Sequence, residues 1–305
     1  MAAQRTKLPD GRWHFQYGPM DIVIGASGSA SALAAAHDDA WRRFATILDE
    51  LVSELALLRA PLASECVLQG VVARRMWHAC RPFAASFITP MAAVAGAVAQ
   101  ELIAFYERNG VTRAWVNNGG DIALHLASGQ SLRIGLYADL ARFDLAQLRD
   151  GISTDGQFEV SSELPMRGVA TSGWRGRSFS LGIADSVTVL ARSAAAADAA
   201  ATVIANAVDV EDPRITRRPA CELKDDSDLG LISVTVEVAP LEPELVAQAL
   251  QAGLMRAQAL RASGLIWSAA LVCQDQFVST ETADTVRLRA ATTRKNESRT
   301  GLLFA

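Results

Sequence analysis

Three short stretches hold residue types suited to nucleotide or metal chemistry. The first is Asn117-Asn118-Gly119-Gly120-Asp121, where an apolar run ends in two asparagines and two glycines before an alternating apolar segment resumes. Asn-Gly marks a tight hairpin turn. The same glycines also bare backbone N–H groups that a phosphate can approach closely, and Asp121 is placed to fix the loop or to hold a ribose or a metal. The second stretch is Thr171-Ser172-Gly173, with Arg175 and Arg177 close behind. Hydroxyls, a glycine amide and guanidinium forks suit a phosphate or carboxylate; a polar hairpin tip has the same composition. The third is Asp198 with Thr202, four residues apart in ADAAATVIANAV and so on one helix face. A carboxylate and a hydroxyl there suit a hard cation such as Mg²⁺, with a carbonyl or diphosphate oxygens completing its shell. The plainer alternative is a helix-surface aspartate and a threonine bonded back to its own backbone.

Other polar residues offer less. His14, His37, His78 and His125 are scattered, and none falls in a metal spacing such as HExxH. His125 lies four residues beyond Asp121 on an expected strand, so the two share a face. Asp225, Asp226 and Asp228 resemble part of a calcium loop but lack the later glutamate of an EF-hand, which leaves a solvated acidic loop.

The elements that must position these residues follow from periodicity. RWHFQYGPMDIVIGASG reads as two strands about Gly18-Pro19. Trp41, Phe44, Ile47, Leu48, Leu51, Val52 and Leu55 recur at the steps of an amphipathic helix running from Ser31 to about Leu58. After a less regular segment, Thr89 and Pro90 open a helix as cap and first residue, and Asn109-Gly110 closes it. Strands are expected at 113–117, 121–126 and 131–137, a short helix at DLARFDLAQLRD, and two or three strands between Gly168 and Leu190. An alanine-rich helix over roughly 193–208 precedes a charged loop, DPRITRRPACELKDDSDLG. A strand, LISVTVEV, a long helix from Glu242 and a closing hairpin complete the chain. Strands grouped as hairpins with long helices between them point to an α+β fold rather than a doubly wound parallel sheet.

Composition narrows the class. The chain has 305 residues, half of them hydrophobic, and a net charge of −4. A substantial core is available, and no basic face for nucleic acid is indicated. Cys66, Cys80, Cys221 and Cys273 form no CxxC pair and sit in or beside apolar sequence, which reads as reduced thiols. The N-terminus turns polar within a few residues, and no run approaches the roughly 18 apolar residues of a membrane span. The expectation is a cytoplasmic, soluble protein with no membrane or nucleic-acid partner.

In chain order these motifs resemble the ApbE family of FAD:protein FMN transferases. AAVAGAVAQ (Ala92–Gln100), NNGGD, ATSG (Ala170–Gly173), SVTVLA (Ser186–Ala191) and ADAAAT (Ala197–Thr202) stand where that family has a glycine-containing helix start, an N-x-GGD strand end, an ATSG turn, an SVTV strand and a DA-x-AT helix. The resemblance is closer still to an ApbE-related branch sharing MAAVAGA and a DSDLG segment, here Asp226–Gly230. It implies an α+β, ApbE-like domain related to the T-fold, occupying 1–283 as a single domain, with 284–305 as a loosely held tail.

By the same resemblance, Asn118, Gly119, Gly120, Asp121, Thr171, Ser172, Gly173 and Arg175 bind FAD or FMN, and Asp198 and Thr202 hold Mg²⁺. A homodimer is one assembly open to the chain. Two departures qualify the chemistry. The transferases carry an H-x-x-D-P-x-T-G segment between the TSG turn and the SVTV strand, whereas WRGRSFSLGIAD stands here without a histidine; Ala95 replaces the lysine of their KG pair. The implied function is an ApbE-like protein that binds or acts on a flavin- or nucleotide-type ligand without being a standard protein flavinyltransferase. The alternatives are a non-catalytic flavin-binding accessory protein, or a different enzyme of cofactor or sulfur metabolism on the same fold. No catalytic residue is assigned.

Overall fold

The computed structural model describes residues 2–136, 156–280 and 302–304. It opens on three antiparallel strands, β1 (Gln4–Lys7), β2 (Trp13–Tyr17) and β3 (Met20–Gly28). Phe15, Ile22 and Ile24 are fully buried on β2 and β3, the period-two pattern of strands with one covered face. Ser29 caps helix α1 (Ala30–Ser53) by accepting from the Ala32 N–H, and buried Ala36, Ala40, Phe44, Ile47 and Leu51 form its inner stripe. A single turn, α2 (Leu55–Leu58), follows.

The segment that reads as irregular contains a helix, α3 (Val71–Cys80). Its N-cap, Gly70, has no side chain, and a distant residue steadies it: the Glu54 carboxylate accepts from the N–H groups of Gln69 and Gly70, at 2.7 and 2.8 Å, just before the first turn. The next helix begins with a 3₁₀ turn, Pro90–Ala93, before α4 (Val94–Ile103); Thr89 makes no side-chain capping bond.

The chain continues through β4 (Val111–Asn118), β5 (Asp121–Leu126), β6 (Ser131–Leu136), β7 (Gly156–Ser161), β8 (Gly168–Ser172), β9 (Ser186–Ala191) and helix α5 (Ala194–Ala207). The expected charged loop holds a strand, β10 (Ile215–Pro219), and a short helix, α6 (Ala220–Leu223). Pairing of β10 with β11 (Ser233–Val238) organises it despite its charges. Helix α7 (Pro243–Ala262) and the hairpin of β12 (Ser268–Cys273) and β13 (Gln276–Ser279) follow, then β14 (Leu302–Phe304). The helix expected at DLARFDLAQLRD and Tyr137 lie outside the described residues, as does the 284–305 tail apart from β14.

Two compact units divide the chain. The first comprises Met1–Ser131, Ser161–Ala170 and Leu190–Ala199. Here β1 to β5 lie in sequence order, all antiparallel, and Gly168 and Val169 of β8 pair with Ala123 and Ile122 of β5. Helices α1 and α4 pack on these strands. The second comprises Leu132–Val160, Thr171–Val189 and Ala200–Ala305. In it α7 packs on the β12–β13 hairpin, β10 pairs with β11, and β14 lies parallel to β6. Long helices among largely antiparallel strands make the fold α+β, as the sequence indicates. Among the described residues, no helix is long and apolar enough to cross a membrane. All four cysteines are unbridged, with Cys80 and Cys273 buried.

Candidate functional site

The NNGGD stretch is a two-residue hairpin turn. Asn118 pairs with Asp121 across β4 and β5. Gly119 and Gly120 occupy the tip at φ +68° and +112°, a left-handed conformation that side chains with a Cβ resist. Asn117 Oδ1 accepts the Gly120 N–H at 2.8 Å, so one of the two glycine amides is spent within the turn. Asn118 and Asp121 are nonetheless buried, and buried polar side chains need partners. Asn118 finds one in a different element: its Nδ2 donates to the Ala95 carbonyl, 3.2 Å away at the start of α4.

That helix start is also where Asp198 arrives. Its Oδ2 accepts the Gly96 N–H at 2.9 Å, and the Ala95 N–H also favours its charged form. The first N–H groups of a helix lack partners within it, so Asp198 caps α4 from α5. Gly96 permits the approach, because a Cβ there would collide with the Ala194 carbonyl. Residues 95–96, 118 and 198 therefore meet in the first unit, drawn from three of the motifs that the sequence singles out.

The electrostatics of Asp198 are unusual. Burial pushes its carboxyl pKa up to about 7 against the opposing pull of the Gly96 and Ala95 amides. Among the described residues, backbone amides rather than a lysine or arginine favour its charged form. Asp198 keeps some solvent exposure, and a carboxylate whose charged form is disfavoured by packing and supported by backbone amides is receptive to positive charge. Thr202 stands one turn further along α5 and is partly exposed. Oxygen donors of this kind fit Mg²⁺, which keeps several waters and takes one or two carboxylates plus substrate phosphates. Among the described residues, no three His, Cys, Asp or Glu side chains converge as a metal centre, so any cation here depends on ligand and water oxygens. The buried Cys80 thiol is held 3.4 Å from the Thr89 carbonyl. Burial, and then the charge of Asp198, push its pKa upward, which makes it a poor nucleophile.

The remaining candidates fall in the second unit. Thr171 and Thr188 bond through their hydroxyls at 2.9 Å. Ser172 is partly exposed and Gly173 buried. The Arg175 guanidinium lies over the Trp174 ring at 4.8 Å, and its Nε is 3.6 Å from an Asp185 oxygen. Trp174 and Asp185 are absent from the sequence-based candidates, as are Cys80 and the amides of Ala95 and Gly96. A glycine-containing helix start is a visible motif, but nothing in it names Asp198 as its partner.

Three of the histidines are engaged elsewhere. His125 bonds the Val111 carbonyl at 3.3 Å, and four strand residues carry it about 13 Å from Asp121. His37 bonds Tyr106 at 2.7 Å, and burial pulls its pKa down to about 4. His14 pairs with Asp21.

The family described as AbpE bacteria matches residues 5–283. The chain belongs to this family. A UPF0280 protein of Methanopyrus kandleri is 35% identical over 221 residues, which cover 72% of this chain and 83% of that protein. Shorter matches span about half of each relative. A UPF0280 protein of Methanospirillum hungatei is 36% identical over 41% of this chain and 47% of its own length. One of Methanothrix thermoacetophila is 39% identical over 45% and 52%. Among solved structures, the apo flavinyl transferase ApbE of Pseudomonas stutzeri is 14% identical, with a TM-score of 0.45 over 92% of this chain and 95% of that one. In this ApbE-like chain the matched span contains both clusters described above.

Proposed function

We propose that this ApbE-like protein binds a flavin-type nucleotide, FAD or FMN, together with Mg²⁺. The observation that carries the reading is the junction at the start of α4. There the Asp198 carboxylate, its pKa raised by packing and its charged form favoured among the described residues by backbone amides, meets Gly96, while Asn118 of the glycine turn meets Ala95. Asp198 would be the charged ligand of the cation and Thr202 a neutral one. When bound, the cation supplies charge neutralisation at diphosphate oxygens. Orientation of the ligand is assigned to the chain's own groups: Asn118, Gly119, Gly120 and Asp121, together with Thr171, Ser172, Gly173 and Arg175.

This reading excludes transfer of FMN to an acceptor threonine. Such a step needs a group to take the hydroxyl proton, and the loop between Gly173 and Asp185 carries no histidine. That absence favours a second reading, a flavin-binding accessory protein without chemistry of its own.

The test is direct. Purified protein is titrated with FMN and FAD with and without Mg²⁺, and any chromophore it retains is released by denaturation and identified by mass spectrometry. Mg²⁺-dependent binding of either flavin is the expected result. No binding at any Mg²⁺ concentration overturns the proposal. Incubation with FAD, Mg²⁺ and a threonine acceptor peptide then separates the readings: breakdown of FAD marks an enzyme, unchanged FAD an accessory protein. Covalent flavin on the peptide contradicts both.

A further inference from the structure

The loop after the TSG turn is closed at its base. Trp174 N–H donates to the Ala184 carbonyl at 3.0 Å, and Gly176 N–H donates to the Gly173 carbonyl at 3.0 Å. Asp185 stands at this closure and is buried. Its own N–H donates to the Val272 carbonyl at 2.9 Å. Oδ2 accepts the Gln274 N–H at 2.6 Å, and Oδ1 accepts the Trp174 indole N–H at 3.3 Å. The same Oδ1 is the atom facing Arg175, whose guanidinium covers the Trp174 ring.

What Asp185 grips on its far side is rigid for a separate reason. Gln274 and Asp275 form the β12–β13 turn at φ 43° and 65°, the non-glycine residues at positive φ among those described. Such a turn persists when its surroundings over-determine it. The Gln274 side chain adds two bonds, donating to the Ala239 carbonyl and accepting from the Leu241 N–H, each at 2.9 Å. One carboxylate thus links a fixed turn to a loop whose next residues, 175–178, are exposed.

We propose that Asp185 is the positioning residue of the TSG loop: it orients Trp174 and Arg175 and thereby sets how tightly the phosphate of the nucleotide is held beside Thr171, Ser172 and Gly173. The proposal rests on the reading that residues 171–175 contact the ligand. The residue type follows from the bonds. A carboxylate accepts on both oxygens and carries the charge that faces a guanidinium. An asparagine has one acceptor oxygen, so its NH₂ would oppose the Gln274 N–H or the Trp174 N–H, and the charge opposite Arg175 would be gone.

The experiment uses full-length protein and a double-mutant cycle on Asp185→Asn and Arg175→Gln. FMN affinity and the emission and iodide quenching of Trp174, the latter obtained by difference against Trp174→Phe, are read on each protein. Each single change is expected to weaken FMN by about tenfold, the scale of one charge-assisted hydrogen bond. The double variant should lose little more than either single one. Asp185→Asn should also raise the quenching of Trp174. Additive losses in affinity, or Trp174 quenching unchanged by Asp185→Asn, overturn the proposal. If Asp185→Asn does not fold, Trp174→Phe replaces it in the cycle, with the same non-additivity expected. If wild type binds no FMN, the functional reading and the affinity role proposed for Asp185 fail together. The quenching arm still decides whether Asp185 orients Trp174.

Discussion

Asp198 in the first unit and Asp185 in the second are both carboxylates set against backbone amides, yet their surroundings differ. Asp185 accepts the Gln274 amide and the Trp174 indole and has Arg175 at 3.6 Å. Among the described residues, Asp198 has the amides of Gly96 and Ala95 to favour its charge and no guanidinium or ammonium. Removing a charge from water costs free energy unless opposite charge or several hydrogen bonds replace the lost solvation. Arg175 meets that demand for Asp185, whose place is that of a clamp. The demand of Asp198 is only partly met, which suits a residue whose counter-charge arrives with a ligand.

The largest expected effect tests the frame on which this difference depends. Gly96→Val would drive a branched side chain into the Ala194 carbonyl. Forcing α4 from α5 is expected to cost about 2–3 kcal/mol, as overpacking of a tight contact does, and to abolish Mg²⁺-dependent binding. Chemical denaturation reads the first effect and flavin titration the second. Wild-type stability in this variant would mean the helices separate freely and the Asp198–Gly96 bond is incidental.

Next in size is the contrast within α5. Asp198→Ala removes the charged ligand and should weaken Mg²⁺-dependent flavin binding by about tenfold or more. Thr202→Val, losing a neutral donor at nearly constant volume, should cost about threefold or less. Asp198→Ala also strips the cap from α4, a stability loss of about 1 kcal/mol by analogy with other N-caps. Asp198→Asn, which keeps an acceptor oxygen, separates that loss from the loss of charge. Equal affinity in wild type and Asp198→Ala at every Mg²⁺ concentration would leave Asp198 as a cap alone.

The sequence disclosed elements better than junctions. Asp121–Leu126 was readable as β5 from alternation and the flanking glycines, and α5 from its alanine run, because both signals are local. Helix α3 was not, since its N-cap is a glycine and the carboxylate that steadies it, Glu54, lies sixteen residues before Gly70. Strand β10 was hidden by Arg217 and Arg218, whose place in a ladder is set by β11. The sites divide in the same way. Gly119 and Gly120 announce a turn, and Asp198 with Thr202 a helix face, but that Asp198 caps α4 depends on a contact with Gly96 across more than a hundred residues. Asp185 is more obscure still, since its bond to the Gln274 N–H depends on how a turn almost ninety residues away is folded. Family resemblance supplies the order of motifs; it does not supply their contacts.

The smallest expected effect is a change of slope. In chelator, Asp198 has a folded pKa of about 7, above the roughly 3.9 of an unfolded aspartate. Between those values the folded chain holds a proton that the unfolded chain has released. Stability must then fall as pH rises across that window, and the contribution of the protonated carboxyl is lost once pH passes the folded value. Asp198→Asn cannot titrate, so its unfolding free energy should run flatter from pH 4 to 7, with the two proteins differing most at the upper end. Mg²⁺ should act on wild type in the opposite sense, because a cation favours the charged carboxylate and displaces the proton. Denaturant midpoints at several pH values, with chelator and with Mg²⁺, measure all of this. Parallel slopes for wild type and Asp198→Asn would place Asp198 beside Asp185 as a carboxylate whose charge is already satisfied, and the contrast between the two regions would disappear.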